Sequence, residues 1–570
     1  MRELQHGHEE VFGTKLQMKQ VFARCGGQWL FVLLLAVNSF GPAYAQSSGD
    51  TAFLTSIGAL CNASFDEKGK IVEQIAQSGN PSTQPVLAAF LDDRVYCRNQ
   101  DQRVFLIKPA PEDAPTVNLI DPLTLKDAGS ASADDVSRVV TNNHLRRVLQ
   151  TILARFGLSS AKASVRLQAV KDIERDLNEG NVQLLRERSM QEPNSRVKKE
   201  IAIALALADL DGSDMQSRLA AISTLKGSMR QDVLNKLQTL VEKSSDGAFA
   251  ETDEHVRKAA IVAIKSIESW RSFYSGVQTV LFGLSLGSIL VLIAIGLGIT
   301  FGVMGVINMA HGELMMLGAY ATYVVQMAMP GYIGSSILVA VPVAFLVSGL
   351  MGILIERTVI RFLYGRPLET LLATFGVSLI LQQLVRTTFT ALNREVKTPD
   401  WMSGTLQLND VLSITYNRLY ILIFTLLVFA ALLMVLKKTR IGLEIRAVAQ
   451  NRAMAKAMGV RSEWVDAITF GLGSGVAGIA GVALSQVTNV NANLGQAYII
   501  DAFMVVVFGG VGSLWGAMVA GLLMGVVDQL LQPYAGAVLA KIFVLIALIL
   551  FIQARPRGLF PATGRAAESQ

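Results

Sequence analysis

The chain has 570 residues, 51% of them hydrophobic and 17% charged, with a formal net charge of +6. Those averages conceal a break: residues 1–270 carry 65 charged side chains, about 24%, near the usual value for soluble proteins, whereas residues 271–570 carry 31, about 10%. A single soluble globule, a disordered chain and a disulfide-rich miniprotein are excluded, and a soluble domain joined to a polytopic membrane domain is expected. The net charge divides as −1 before residue 271 and +7 after it, and the positive excess lies in loops between apolar runs. That placement marks the cytoplasmic side of a membrane rather than a nucleic-acid partner.

The expected fold class is all-α throughout. Lys15, Lys19 and Arg24 precede a short apolar core from Trp29 to Val37 and a small-x-small site at Ala43-Tyr44-Ala45. This layout predicts a secretory signal over residues 1–45, since nine apolar residues fall short of the ~20 that span a bilayer. Residues 46–270 then form a helical domain outside the cytoplasm. There Cys61 and Cys97 remain as an even pair where disulfides persist, so a bridge is expected on compartment grounds, with two lone thiols as the alternative. Val165-Arg166, Val197-Lys198 and Val256-Arg257 each open an Ala/Ile/Leu-rich amphipathic stretch. The pattern suggests a short HEAT-like α-solenoid, or at irregular spacing a plain helical bundle. No metal cluster or catalytic constellation is evident, and the domain reads as an interaction surface or spacer.

Residues 271–560 form the expected membrane domain, with 561–570 as a tail. Residues 272–312 and 314–355 contain no Asp, Glu, Lys or Arg, and together hold three or four membrane segments. Further apolar segments follow, rich in glycines such as Gly471, Gly473, Gly475, Gly478 and Gly481, which predict close helix packing. Parity between an exterior N-domain and the basic loops at Arg357–Arg366, 438–464 and Arg555–Arg557 requires two broken segments. One is expected within residues 272–355 and one near Gly509-Gly510-Val511-Gly512, a pattern that points to a substrate path.

Within the first of these, Asn308, His311 and Glu313 place polar groups at membrane depth, where an ionisable residue costs ~3 kcal/mol or more. They are candidates for the path, with Glu313 held by the helix end or by His311; a bracket pinning a broken helix is the alternative. Asn489 and Asn491, with Asn493, are a second candidate, or else an exposed turn. Asp528 is expected at the interface, and Lys541 is expected to snorkel there.

The basic stretch 440–460 predicts one amphipathic helix ending at Gly459, with Ala449, Ala453, Ala457 and Met458 exposed for docking. The chain has no Walker A sequence, so ATP hydrolysis would belong to a separate subunit and no cofactor is expected on this chain.

Three stretches resemble the permeases of ABC importers for branched-chain amino acids and related amides: residues 305–320, the loop 442–459, and Phe508-Gly509-Gly510-Val511-Gly512-Ser513 together with Arg555-Pro556-Arg557-Gly558-Leu559. The N-terminal extension and the run 489–516 resemble the urea-transporting subgroup most. The resemblance implies a non-enzymatic inner-membrane subunit that imports urea, with branched-chain amino acids as the rival cargo and a channel or secondary carrier as a remoter one. It further implies a second homologous permease, a periplasmic binding protein and two cytoplasmic ATPases, with Gly442, Glu444, Arg446, Asn451, Ala455 and Gly459 forming their coupling loop.

Overall fold

The computed structural model describes residues 48–108, 116–243 and 249–560. The expected signal, Cys25 and the tail 561–570 lie outside the described residues. The chain divides into two compact units at Ala221/Ile222. That is earlier than the composition break at residue 270, because the last amphipathic stretch and the first span are one helix.

The first unit is not all helical, which corrects the all-α expectation. Three helices, α1 (Ser48–Ala59), α2 (Phe65–Gln77) and α3 (Thr83–Leu91), precede an antiparallel sheet of order β4-β3-β2-β1-β5. Its strands are β1 (Val95–Arg98), β2 (Val104–Ile107), β3 (Thr116–Ile120), β4 (Asp127–Ser132) and β5 (Val136–Arg138). Strands of three to six residues give too little alternation to recognise, and β4, Asp-Ala-Gly-Ser-Ala-Ser, has almost no strand-forming side chains. Phe53, Ile75, Leu87 and Phe90 from α1–α3, with Leu60 just past α1, pack with Val95 and Leu106 of the sheet and with Leu145 and Leu149 of α4 (Asn143–Gly157). Cys61, just past α1, is bonded to Cys97 in β1, with Cα atoms 5.8 Å apart.

Helices α5 (Ala163–Ile173), α6 (Glu179–Gln191) and α7 (Ser195–Asp209) build a second core around Val170, Ile173, Leu185, Val197 and Ile201. Their starts are specified locally: Asn178 and Asn194 accept bonds from the backbone N–H groups of Asn181 and of Arg196 and Val197. The Val-basic openings have a common physical meaning at two sites. The Arg166 guanidinium donates to the carbonyls of Ser160 and Ala161, and that of Arg257 to those of Glu251 and Thr252. Each arginine thus ties the start of its helix to the turn that precedes it. α8 (Met215–Leu225) runs across the division.

In the second unit α9 (Gln231–Val241) packs on α10 (Glu254–Met304), a continuous helix of 51 residues that is amphipathic at first and apolar later. There follow α11 (His311–Ala328), α12 (Ile333–Thr358), α13 (Pro367–Phe389), the hairpin β6 (Thr405–Gln407) and β7 (Ser413–Thr415), α14 (Tyr416–Lys438), α15 (Arg440–Gln450), α16 (Arg452–Ala457), α17 (Ser462–Ser485), α18 (Leu494–Gly509) and α19 (Leu514–Ala554), the last broken at Gly536. Among the described residues, six helices are long and apolar enough to cross a membrane: α10, α12, α13, α14, α17 and α19. α17 is the central one, and its glycines do bring backbones together: a Cβ on Gly478 would lie 2.6 Å from Ala344 O on α12, and one on Gly318 of α11 would lie 2.1 Å from Gly478 O.

The connections sort to two ends. At one, Arg361 pairs with Glu463 at 3.2 Å and Arg452 reaches Tyr364, joining the two basic loops. At the other, Gln326 bonds Lys397, Trp401 Nε1–H donates to Gly334 O, and Asn417 donates to Gln486 O.

Candidate functional site: the broken-helix junction

α10 ends at Gly305, whose φ of +67° is costly for any residue with a Cβ. The chain then runs non-helically and starts α11 at His311, which is fully buried. Asn308 Oδ1 accepts from the Ala310 N–H at 3.0 Å, turning the chain into the new helix. The His311 Nε2 lies 3.1 Å from the carbonyl oxygen of Ile293 on α10. Glu313 is held neither by the helix end nor by His311, contrary to expectation. Its Oε1 accepts from Ser378 Oγ at 3.1 Å and Gln382 Nε2 at 2.8 Å, both on α13. Thr374, one turn earlier on α13, accepts from the Met309 N–H at 3.1 Å. The α13 groups were missed because Thr374, Ser378 and Gln382 form a sparse i, i+4, i+8 polar stripe in an otherwise apolar helix, visible only once a partner is known.

The junction is closed by backbone contact. A Cβ on Gly312 would sit 2.3 Å from Gly495 O, so the starts of α11 and α18 touch where no side chain fits. The second expected break is present: α18 stops at Gly509, Gly510 and Gly512 have positive φ, and α19 begins at Leu514. The two breaks are neighbours, since a Cβ on Gly302 would lie 2.7 Å from Gly512 Cα. The chain after α19 folds back onto the second break, with the Leu559 and Phe560 N–H groups donating to Phe508 O and Gly509 O at 2.9 and 3.1 Å. Phe508–Ser513 and Arg555–Leu559, distant in sequence, are therefore one structural element.

Asn489 and Asn491 do not join this junction. Asn489 is exposed. Asn491 Oδ1 accepts from the Asn493 N–H at 3.0 Å, and Asn493 in turn accepts from Arg386 at 2.6 Å, on the wall of an open cleft. Asp528 lies apart from the junction as well. It is 9% exposed and faces a cavity between α10, α14, α17, α18 and α19, where Lys541 is paired with Asp501 at 2.7 Å.

The basic loop holds two helices rather than one. They break at Asn451, whose side chain accepts from the Met454 N–H at 2.9 Å and starts α16. An Asn that offers its own cap competes with helix continuation, and here the cap prevails. The segment still ends at Gly459, with φ +86°. Gly442 is packed against the end of α14, where a Cβ would meet Leu436 O at 2.2 Å, and the Arg446 guanidinium bonds the same carbonyl. Glu444 pairs with Arg440 at 3.0 Å, Ala455 is buried, and Ala449, Ala453, Ala457 and Met458 are exposed as expected. Arg452 makes a bidentate ion pair with Asp466 at 2.7 and 2.8 Å and reaches the Tyr364 hydroxyl at 3.0 Å. Burial, and then the Asp466 charge, push the Tyr364 phenol above its ordinary value, so it remains a neutral donor and acceptor. This rigid bracket fixes the two-helix segment to α17.

Broken helices, a glycine-closed junction and a bracketed surface segment are now matched by sequence relationships. The profile described as "Branched-chain amino acid transport system / permease component" covers residues 279–553. The high-affinity branched-chain amino acid transport permease LivH of Salmonella typhimurium is 34% identical over 293 residues, 50% of this chain and 94% of LivH. BraD of Pseudomonas aeruginosa is 32% identical over 295 residues, 50% of this chain and 96% of BraD.

The chain belongs to the permease family of branched-chain amino acid transport systems.

LivH of Escherichia coli K12 gives the same picture, at 33% identity and 94% of its length. No solved structure matches the chain. This permease is therefore a membrane subunit of an ABC importer and a multi-pass inner-membrane protein, and its relatives are transport permeases rather than enzymes. Membership implies ATPase and substrate-binding partners.

Proposed function

We propose that this permease carries branched-chain amino acids through an importer completed by a second homologous permease, two cytoplasmic ATPases and a periplasmic binding protein. The cargo reading rests on near full-length similarity to LivH and BraD, whose names state that cargo. The basic end faces the cytoplasm by the positive-inside rule, which puts the start of α10 and the first unit in the periplasm.

Energy enters at α15–α16. The segment exposes Met454 and Met458 at 61% and 78%, beside exposed Ala449, Ala453 and Ala457, on a base fixed by Arg452–Asp466 and Arg446. A rigid two-helix knob with small and flexible apolar groups outward suits a groove in an ATPase. Motion of that groove reaches α14 through Gly442 and α17 through Asp466. We expect Met454→Glu and Gly459→Val in the assembled importer to leave ATP hydrolysis measurable while uptake falls by an order of magnitude. Unchanged uptake per ATP in both would show that the ATPases dock elsewhere.

Urea is a second reading, favoured by one observation. The matched region begins at residue 279, so the sheet-bearing unit and α9 are additional to the part shared with the LivH and BraD relatives. Uptake of labelled leucine and urea by cells with the gene deleted and restored separates the two. Gene-dependent leucine uptake supports the first reading, and gene-dependent urea uptake indifferent to excess leucine replaces it with the second.

A further inference from the structure

Four charged side chains line one cavity of about 250 Å³ between α10, α14, α17, α18 and α19: Arg418, Asp501, Asp528 and Lys541. The volume equals about eight waters' share of liquid, enough for one small solute. The four charges sum to zero but are not all spent on each other. Asp501 and Lys541 form an ion pair that ties α18 to the second half of α19. Asp528 is nine-tenths buried; its Oδ2 accepts from Gln532 at 2.8 Å and its Oδ1 has no hydrogen-bond partner. The Arg418 guanidinium stacks on the Phe282 ring at 4.2 Å and has no carboxylate partner among the described residues. One anionic oxygen and one cation are thus left over, on a wall that carries the apolar groups of Ile289, Met504, Met524 and Val544 and the polar ones of Ser285, Thr488, Tyr498, Gln529 and Gln532.

Charges inside a membrane domain are costly, and those left unpaired ask for a partner of opposite sign. A metal ion would want more oxygen ligands than Asp528 offers beside two cations. An inorganic anion would leave the Asp528 oxygen unpaired. A neutral polar solute would leave both charges uncompensated. A zwitterion with an apolar side chain satisfies all three features.

We propose that this cavity is a transit site for a zwitterionic apolar amino acid, with its α-ammonium on Asp528 Oδ1, its α-carboxylate on Arg418 and its side chain against Met504 and Met524. The proposal rests on the amino-acid reading given above and places the cargo away from the Asn308–His311–Glu313 junction. Asp501–Lys541 is the structural pair that shapes the site.

The test uses the assembled importer in proteoliposomes, with Gln529→Cys as a reporter on the cavity wall in a Cys25→Ser background and a small methanethiosulfonate reagent as probe. Leucine at ten times its dissociation constant should slow labelling by about tenfold, as site occupancy requires, and urea should not. Asp528→Asn and Arg418→Gln should each abolish that protection and lower leucine uptake by about tenfold, the loss expected for one charged contact. Asp501→Asn with Lys541→Gln, which removes the internal pair and keeps the two ligand groups, should retain part of the protection. Leucine uptake that is intact while labelling ignores leucine overturns the site and leaves the amino-acid reading standing. An importer that carries urea and not leucine overturns the reading beneath it. If Asp528→Asn fails to reach the membrane, Arg418→Gln alone decides between protection lost and protection kept.

Discussion

Buried charge is handled in opposite ways in the two units. In the first, Arg166 and Glu192 are 7% and 0% exposed and every side of the pair is used. Glu192 accepts a bidentate pair from Arg166 at 2.7 and 2.9 Å, two bonds from Arg188 and one from the Asn194 N–H, while Arg166 Nη1 donates to two carbonyls. In the membrane unit, Glu313 is 1% exposed, has neutral partners and leaves Oε2 unpartnered, as are Asn308 Nδ2 and His311 Nδ1. A soluble domain can close such a network and use it for stability. The transport domain keeps open valences at its junction and in its cavity, and open valences are cheap to reassign when helices move.

The comparison can be broken most severely at the backbone. Gly312→Val should remove the protein from the membrane fraction, because its side chain would have to occupy the space of Gly495; normal accumulation on an immunoblot would mean the junction is looser than its contacts. Next in size is the closed network. Glu192→Ala should destabilise the first unit by ~3 kcal/mol or more, as loss of one partner from a buried pair does, and thermal unfolding followed by circular dichroism measures it. Glu192→Gln should cost less, since it keeps the shape and part of the bonding.

The same network predicts a pH response. The Arg166 guanidinium beside it holds the Glu192 carboxyl at about 2, against an ordinary 4.5. A folded value below the unfolded one means that stability is fully present above about 4.5 and is lost as pH falls toward 2. Acid titration of the unfolding midpoint should show this loss in the wild type and not in Glu192→Gln.

Smaller effects are expected where valences are open. Glu313→Ala removes the acceptor of the Ser378 hydroxyl and leaves Gln382 Nε2 only Ser378 Oγ at 3.4 Å, a loss of about 1–3 kcal/mol visible as lower membrane abundance, whereas Glu313→Gln should retain most of it. His311→Ala should act on abundance in the same way, with the uptake per folded transporter changed less than twofold; a tenfold loss per folded transporter would return His311 to the substrate path. Asn489→Ala, exposed and outside both cavity and junction, should leave uptake within error.

Much of this was legible in the chain itself, for reasons of solvent. Apolar runs that exclude charge dictate membrane helices because lipid offers backbone groups no partner, so the spans, the basic end and both broken segments follow from composition and glycine placement. Gly459 as a stop and the exposed Ala and Met positions of the coupling segment are local properties of a helix and were equally visible. The sheet was not, because strands of three to six residues acquire their identity from neighbours far along the chain. The break at Asn451 turned on a competition between capping and continuation that differs by about a kcal/mol.

The candidate site divides along the same line. The presence of Asn308, His311 and Glu313 at membrane depth is a fact of sequence. That Glu313 rests on Ser378 and Gln382 and His311 on Ile293, while the starts of α11 and α18 meet at Gly312 and Gly495, was decided only by packing. The same holds for the grouping of Asp528 with Lys541, which a linear reading places singly near span ends. They sit on either side of the break at Gly536, and both line one cavity with Asp501, Asp528 buried and Lys541 exposed. Hydropathy determines which segments leave water. Which polar groups then find one another depends on close contacts between residues tens to hundreds of positions apart, and no local pattern encodes those.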